Sequence, residues 1–188
     1  CVVEGKEYSN IKNLWCKTKE GVVSNALRTV KDLNKLPNQD WSIFDTRHYY
    51  KPYCGDFYRT GFFELSRGCH YNCSFCCTST LREAFSGCGK YVRMREEKET
   101  LREIQELKSL YDLQLVFFID DNFLGMTVER LRSFCEKYNE QVALPFYLQT
   151  RPETITREKV LILKDAGVST IAIGVEHGDE EYRKKHMN

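Results

Sequence analysis

Several features that would assign a protein to a common class at once are missing from this sequence. No apolar run approaches the roughly 20 residues that a membrane-spanning helix needs, so we expect no membrane association. The first residues, Cys1–Ser9, have neither the basic start nor the apolar stretch of a signal peptide. The chain also lacks an initiator Met, and we expect it to begin inside a longer protein.

An excess of charge of one sign is missing too. The 28 Lys and Arg residues stand against 27 Asp and Glu, which gives no general attraction to nucleic acid or to an anionic membrane. Apolar residues make up 41% of the 188 residues and charged residues 29%, which excludes a disordered tail and a coiled-coil rod. The sequence has no internal repeat. We expect one ordinary domain, or one domain and a fragment of another.

What the sequence does have is cysteine, at nine positions. An odd number at this density does not suit a disulfide framework. Five of the cysteines are scattered, but the other four fall between positions 69 and 77: Cys69, Cys73, Cys76 and Cys77. Such clustering indicates metal or redox chemistry in a reducing compartment, and we expect a cytoplasmic protein.

From residue 61 onward the apolar pattern alternates between strand and helix. The predicted strands are 61–65, 115–119, 146–149 and 170–174, and the predicted helices are 96–110, 127–138 and 156–166. Alternation of this kind predicts an α/β fold of parallel strands joined by right-handed crossovers. We favour a partial TIM-type barrel of about four βα units over an open sheet, because the last strand would otherwise be a bare apolar edge.

The part before residue 61 is less regular. Residues 14–23 predict a short hairpin around a turn at 19–21, and residues 33–45 have the Pro, Asn and Asp content of a linker. Residues 48–58 are rich in Tyr and Phe without a period, and we expect their aromatic rings to pack on the following domain. We therefore divide the chain into an upstream segment, 1–60, and a core domain, 61–188.

The cysteines at the end of the first core strand have the spacing Cys69-x3-Cys73-x2-Cys76. Three thiolates on one tight loop suit three irons of a cubane cluster and leave the fourth iron open, which is typical of a catalytic centre. Their place after the first strand is where barrel enzymes carry their chemistry.

This motif, with Phe75 before its last cysteine, resembles the signature of radical S-adenosylmethionine enzymes. The resemblance implies a [4Fe-4S] cluster on the three cysteines, whose open iron binds S-adenosylmethionine. Reduction then cleaves this cosubstrate to a 5′-deoxyadenosyl radical. It also implies a small-molecule substrate and a one-electron donor such as flavodoxin or ferredoxin.

Polar residues follow the second and third core strands. Asp120 and Asp121 come after the second, and strand alternation turns only one of them inward, where related enzymes hold the ammonium group of the cosubstrate. Arg151 comes after the third, where a guanidinium suits the carboxylate of the cosubstrate. For the two aspartates the structural alternative is an acidic, solvent-exposed loop. For Arg151 it is an ion pair with Glu153 or Glu158 at a helix start.

The fourth strand ends in a segment similar to the Gly-Val-Glu-Ser-Gly stretch of several radical S-adenosylmethionine subfamilies. The resemblance implies that Glu176 binds ribose hydroxyls and that Gly174 lets the backbone approach the cosubstrate. His177 stands in place of the serine, and we assign it no chemistry.

The segment from Leu36 to Asp45 is similar to the linker of cobalamin-dependent members of this family, and residues 1–30 resemble the end of their cobalamin-binding domain. For the full-length protein this implies cobalamin and either methyl transfer or a radical rearrangement. We expect the fragment alone to be inactive.

Two alternatives remain open. A closed iron–sulfur electron carrier would need a fourth cysteine ligand, and a zinc-stabilised binding module would need Cys77 or His70 beside the three motif cysteines. We expect Cys77 to be a bystander or to lie near the cluster without binding it, Cys88 to be a plain loop residue, and Cys135 to be a core thiol.

Overall fold

The computed structural model describes residues 11–187. The interpretation of Cys1–Ser9 therefore lies outside the described residues. The predicted hairpin is confirmed: β1 (Trp15–Thr18) pairs antiparallel with β2 (Gly21–Ser24). No helix in the described part of the chain is long and apolar enough to cross a bilayer.

The remaining elements alternate as the sequence predicted, with additions. They are β3 (Tyr50–Tyr53), β4 (Asp56–Phe63), β5 (Ser66–Arg67), α1 (Cys77–Ala84), β6 (Arg93–Met94), α2 (Glu97–Tyr111), β7 (Leu115–Phe118), α3 (Val128–Gln141), β8 (Phe146–Thr150), α4 (Arg157–Asp165), β9 (Val168–Ile173) and α5 (Glu180–Tyr182). Short 3₁₀ turns occupy Leu33–Lys35, Trp41–Ile43, Thr46–Tyr49, Phe123–Gly125 and Pro152–Thr154, and a π-helical turn spans Arg183–Met187.

One curled sheet organises the molecule, in the order β3-β4-β7-β8-β9. The last four strands are parallel, while β3 pairs antiparallel at the edge. Tyr53 on β3 donates from its hydroxyl to Ser169 Oγ on β9 at 2.9 Å, so the two edge strands approach each other across the sheet. The α/β fold with a partial TIM-type barrel is confirmed.

The additions lie where local periodicity is weak. No regular structure was predicted for residues 48–58, but from Tyr50 onward they form the edge hairpin β3–β4, which turns at Cys54 and Gly55 with positive φ angles. Helix α1 was also not predicted, because its polar residues bury little beyond Thr78. Strand β4 begins at Asp56, upstream of the proposed division at residue 60, and that division stays a prediction.

The core lies between the sheet and its helices. Phe118 on β7 is fully buried and packs its ring against Phe134 and Tyr138 of α3 and against Phe146 of β8, with centroids 5.6–6.0 Å apart. Because the crossovers run from strand end to helix start, the same packing brings the carboxyl ends of β4, β7, β8 and β9 to one side of the sheet.

The linker, residues 33–45, packs on this core. Trp41 is 5% exposed and stacks on Phe63 at 5.8 Å between ring centroids. Nearby, the buried Glu103 pairs with Arg95 and accepts a hydrogen bond of 3.1 Å from the backbone N–H of Gln39. The linker is therefore fixed to α2 and to the segment after β6.

Candidate active site at the carboxyl ends of the strands

A cavity of about 660 Å³ opens at the carboxyl ends of the strands. This size lies within the range of small-molecule sites. Every predicted site residue except Asp120 lines it: Cys69, Phe75, Cys73, Cys76, Asp121, Arg151, Gly174 and Glu176. The structure thus brings together residues that lie up to about a hundred positions apart in the chain.

The cysteine loop between β5 and α1 is fastened at both ends. At its start, Gly68 donates from its N–H to Asp121 Oδ2 at 2.7 Å. Gly68 has φ +91°, and a Cβ there would meet the ring of Tyr91 at 3.0 Å, so only glycine suits this turn. From α1, Arg82 reaches back and donates to the carbonyl of Cys69 at 2.7 Å, while Ser79 donates to that of Cys76 at 2.8 Å.

The three motif thiols are sheltered to different degrees. Cys73 is 8% exposed, and Cys69 and Cys76 are half-buried. Burial raises the pKa of the Cys69 thiol, so metal binding there has to displace a proton. Between residues 11 and 187 no three His, Cys, Asp or Glu side chains are arranged to hold a single metal ion. A cubane cluster does not need three ligands around one metal ion, because each thiolate binds a different iron of the cluster.

The structure separates the two adjacent aspartates. Asp121 is exposed and lines the cavity. Asp120 is 1% exposed and lies away from the cavity lining, where it accepts hydrogen bonds from Leu65 N at 3.2 Å and from Ser66 Oγ at 2.6 Å. Burial raises the pKa of Asp120 to about 6. This carboxyl therefore holds the segment that leads to the cysteines.

Arg151 joins the cysteine loop to the end of β8. Its Nη1 donates to Cys73 Sγ, and its Nε donates to Glu153 Oε2 at 3.1 Å. The guanidinium also lies 4.0 Å over the ring of Tyr71, a cation–π contact. The ion pair with Glu153 that the sequence offered as an alternative is therefore present, together with a contact to a motif cysteine.

Beyond β9, Gly174 and Glu176 are in close contact. A Cβ on Gly174 would stand 2.5 Å from Glu176 Oε1, so the carboxylate folds back over the glycine. Glu176 itself has φ +68°, which non-glycine residues adopt rarely. Its neighbour His177 stacks on Tyr182 at 4.2 Å.

A buried hydroxyl–amide network was not found by sequence reasoning. Asn122 Oδ1 accepts hydrogen bonds from Thr150 Oγ1 at 2.7 Å and from Thr154 Oγ1 at 3.3 Å. Thr150 also accepts from Leu124 N at 3.3 Å. This network ties the end of β7 to the end of β8, and so sets the positions of the flanking Asp121 and Arg151. Polar residues directly after apolar strands were the available signal.

The other cysteines lie as their sequence contexts suggest. Cys135 is 3% exposed in the core, and burial raises the pKa of its thiol to about 12. Cys77 is exposed at the first residue of α1, and the carbonyl of Cys88 accepts a hydrogen bond of 2.8 Å from Val30 N. The eight described cysteines are all free thiols.

Three curated relatives are similar to the chain. An uncharacterized methyltransferase of Synechocystis sp. is 29% identical over 133 residues, which cover 66% of this chain and 24% of the relative. The anaerobic magnesium-protoporphyrin IX monomethyl ester cyclase of Cereibacter sphaeroides is 26% identical over 165 residues, 84% of this chain and 25% of the relative. The hopanoid C-2 methylase of Rhodopseudomonas palustris is 26% identical over 145 residues, 74% of this chain and 26% of the relative.

A solved structure shares the fold. The apo form of the cobalamin-dependent S-adenosylmethionine radical enzyme OxsB matches 98% of this chain and 27% of its own, with a TM-score of 0.65 and 19% identity. The chain thus spans about a quarter of the length of these relatives. The family model of the Radical SAM superfamily matches residues 63–188, from the end of β4 through the cysteine loop and past β9. The chain therefore belongs to the radical SAM superfamily of enzymes.

Proposed function

We propose that Cys69, Cys73 and Cys76 hold a [4Fe-4S] cluster and that the 660 Å³ cavity beside them binds S-adenosylmethionine. This proposal rests on one observation, which is that the predicted site residues lie together. The three motif cysteines and polar groups from the ends of three parallel strands line one cavity, although they come from distant parts of the sequence.

The cysteine loop suits a cluster because its backbone is held independently of the thiols. Asp121, Ser79 and Arg82 fix Gly68 and the carbonyls of Cys76 and Cys69 by hydrogen bonds, so the position of the loop does not depend on its sulfur atoms. When bound, the cluster supplies the electron that cleaves the sulfonium of S-adenosylmethionine to the 5′-deoxyadenosyl radical. Cys77 lies exposed on α1, and we give it no ligand role.

The cavity suits the charged methionine end of S-adenosylmethionine. Arg151 presents a guanidinium in this lining, and a guanidinium is the side-chain group that binds a carboxylate in a two-point fork. The Asp121 carboxylate, exposed in the same cavity, is placed to accept hydrogen bonds from the ammonium group. Asp120, the other predicted contact, does not line the cavity. It accepts hydrogen bonds from Leu65 and Ser66, which lead into the cysteine loop.

We place the nucleoside end of S-adenosylmethionine against Glu176, Gly174 and Phe75. Glu176 has two carboxylate oxygens for the ribose hydroxyls, and Gly174 presents backbone without a side chain. Phe75, 51% exposed in the same lining, offers an apolar surface.

In the longer protein we propose a small-molecule substrate, a one-electron donor such as flavodoxin or ferredoxin, and cobalamin-dependent methyl transfer or radical rearrangement. Two of the relatives are a cyclase and a methylase, which supports this range of reactions. The structural neighbour OxsB is a cobalamin-dependent enzyme, which supports cobalamin. The clustering of four cysteines between positions 69 and 77 supports a reducing, cytoplasmic setting.

The test is anaerobic reconstitution of the chain with iron and sulfide, followed by low-temperature electron paramagnetic resonance of the reduced sample. We expect a cubane signal that shifts when S-adenosylmethionine is added. Cys73→Ala should abolish the signal, whereas Cys54→Ser, which changes an exposed thiol in the β3–β4 turn, should leave it unchanged.

Two results would overturn the proposal. A cluster signal that does not respond to S-adenosylmethionine would support a closed electron carrier. Stoichiometric zinc without any cluster would support the binding module.

A further inference from the structure

A second cavity, of about 230 Å³, lies beside the cysteine loop. Cys69 lines both cavities. The second lies between the loop that precedes β6 and the start of α3, with Lys90 and Val92 on one side and Met126, Thr127 and Arg130 on the other. At this size it suits one functional group or a very small molecule, because whole drug-sized ligands occupy about 300 Å³ or more.

The lining of this second cavity is rich in hydrogen-bond donors. Lys90, Arg130 and His70 all line it, and among the described residues no acidic side chain does. Lys90 makes no ion pair within residues 11–187, and Arg130 donates from Nη2 to the carbonyl of Arg95 at 2.8 Å, which orients its guanidinium. The second cavity is therefore cationic, although the chain as a whole is nearly neutral.

The amide of Asn122 gives an independent indication. Asn122 is 9% exposed and lines the second cavity. Its Oδ1 is occupied by Thr150 and Thr154, whereas its Nδ2 makes no hydrogen bond in the described part of the chain. Nδ2 lies 3.0 Å from the position that a Cβ on Gly125 would take, and Gly125 lines the same cavity. Nδ2 is therefore a donor at the wall of the second cavity from which a ligand oxygen can accept a hydrogen bond.

The start of α3 also favours an anion in the second cavity. Thr127, the N-cap residue of this 14-residue helix, lines the second cavity, and the positive end of a helix dipole favours an anion. Two cationic side chains, the amide of Asn122 and the start of α3 thus line one small cavity.

We propose that the second cavity is an anion-binding subsite that takes a carboxylate or phosphate group of a small molecule. Lys90 and Arg130 neutralise its charge, and Asn122 Nδ2 donates to one of its oxygens. This inference concerns residues that the proposed cosubstrate site does not use, and it does not require the cluster.

The test uses the ¹⁵N-labelled chain without iron and inorganic phosphate as the probe, at constant ionic strength maintained with NaCl. We expect the side-chain amide signals of Asn122 and the backbone amide signals of 127–129 to shift and to saturate. Lys90→Gln and Arg130→Gln should each weaken phosphate binding about tenfold. Lys98→Gln removes an equal charge from an exposed side chain outside the second cavity and should bind phosphate like the parent.

A third variant tests the amide donor itself. Asn122→Asp keeps an Oδ1 acceptor for Thr150 and replaces the donor with a second acceptor, so phosphate binding should be lost while the spectrum still shows a folded chain. A parallel titration with acetate distinguishes a carboxylate ligand from a phosphate ligand, because the site should bind the group that it selects more tightly.

Shifts that grow linearly with phosphate, or equal affinity in Arg130→Gln and Lys98→Gln, would overturn the inference. Because the experiment contains neither iron nor S-adenosylmethionine, its failure would leave the cluster proposal to be judged by its own resonance measurement.

Discussion

The buried carboxyl of Asp120 accepts a 2.6 Å hydrogen bond from the hydroxyl of Ser66, three residues before the first motif cysteine. This contact joins the end of β7 to the start of the cysteine loop. The next residue, Asp121, accepts from the N–H of Gly68. Two adjacent acids thus hold neighbouring points of the same segment, one from the interior and one from the cavity.

The pKa of Asp120 predicts a specific pH dependence of stability. Burial raises this pKa from 3.8 to about 6, so the folded chain binds the proton more tightly than the unfolded chain does. The free energy of unfolding should therefore fall as pH rises from 4 to 6, by about 2 kcal/mol from this group alone. Urea unfolding of the parent and of Asp120→Asn at pH 4, 5, 6 and 7 measures it. A difference between the two proteins that stays constant over this range would contradict the prediction.

The close approach of Gly174 and Glu176 predicts sensitivity to a single methyl group. In Gly174→Ala the new Cβ would stand 2.5 Å from Glu176 Oε1, so the carboxylate has to move. We expect S-adenosylmethionine to bind the reconstituted variant about tenfold more weakly, with little change in cluster content. Equilibrium titration followed by the cluster resonance measures both. Gly178→Ala is the control, because a Cβ there meets nothing within 4 Å.

The fork geometry of Arg151 predicts that lysine cannot replace it. Lysine keeps the charge but presents a single ammonium group in place of paired N–H donors. Arg151→Lys should weaken S-adenosylmethionine binding about tenfold while iron per chain stays the same. Arg132→Lys, which changes an exposed arginine paired with Glu158, should bind as the parent does. Equal affinity in the two variants would argue against a carboxylate contact at Arg151.

The buried ion pair of Glu103 and Arg95 predicts that the linker can be released selectively. Glu103→Ala leaves Arg95 buried without its partner, which costs about 3–5 kcal/mol, and removes the acceptor for Gln39 N. Hydrogen exchange at the Gln39 amide should accelerate, and urea unfolding should shift to lower concentration. Glu99→Ala breaks the more exposed pair with Arg102 and should cost at most about 1 kcal/mol.

The local pattern of apolar residues in the sequence predicted much of the fold. Helices α2, α3 and α4 and strands β7, β8 and β9 were predicted to within a few residues, because each carries an apolar stripe or an apolar run that is visible in the sequence. The edge strand β3 and helix α1 were not predicted. The four residues of β3 are exposed or half-buried, and Thr78 is the one buried residue of α1, so neither element leaves a strong apolar period.

The sequence by itself determined the family motif, the alternation of strands and helices, and the strand ends at which Asp121, Arg151 and Glu176 would stand. These properties depend on spacing along the chain, and spacing is visible in the sequence. Only the tertiary structure decided between Asp120 and Asp121, set Arg151 against Cys73 and left the amide of Asn122 facing a cationic cavity. Those contacts join residues 28 to 78 positions apart, so they depend on how the strands are placed beside one another and not on any local pattern.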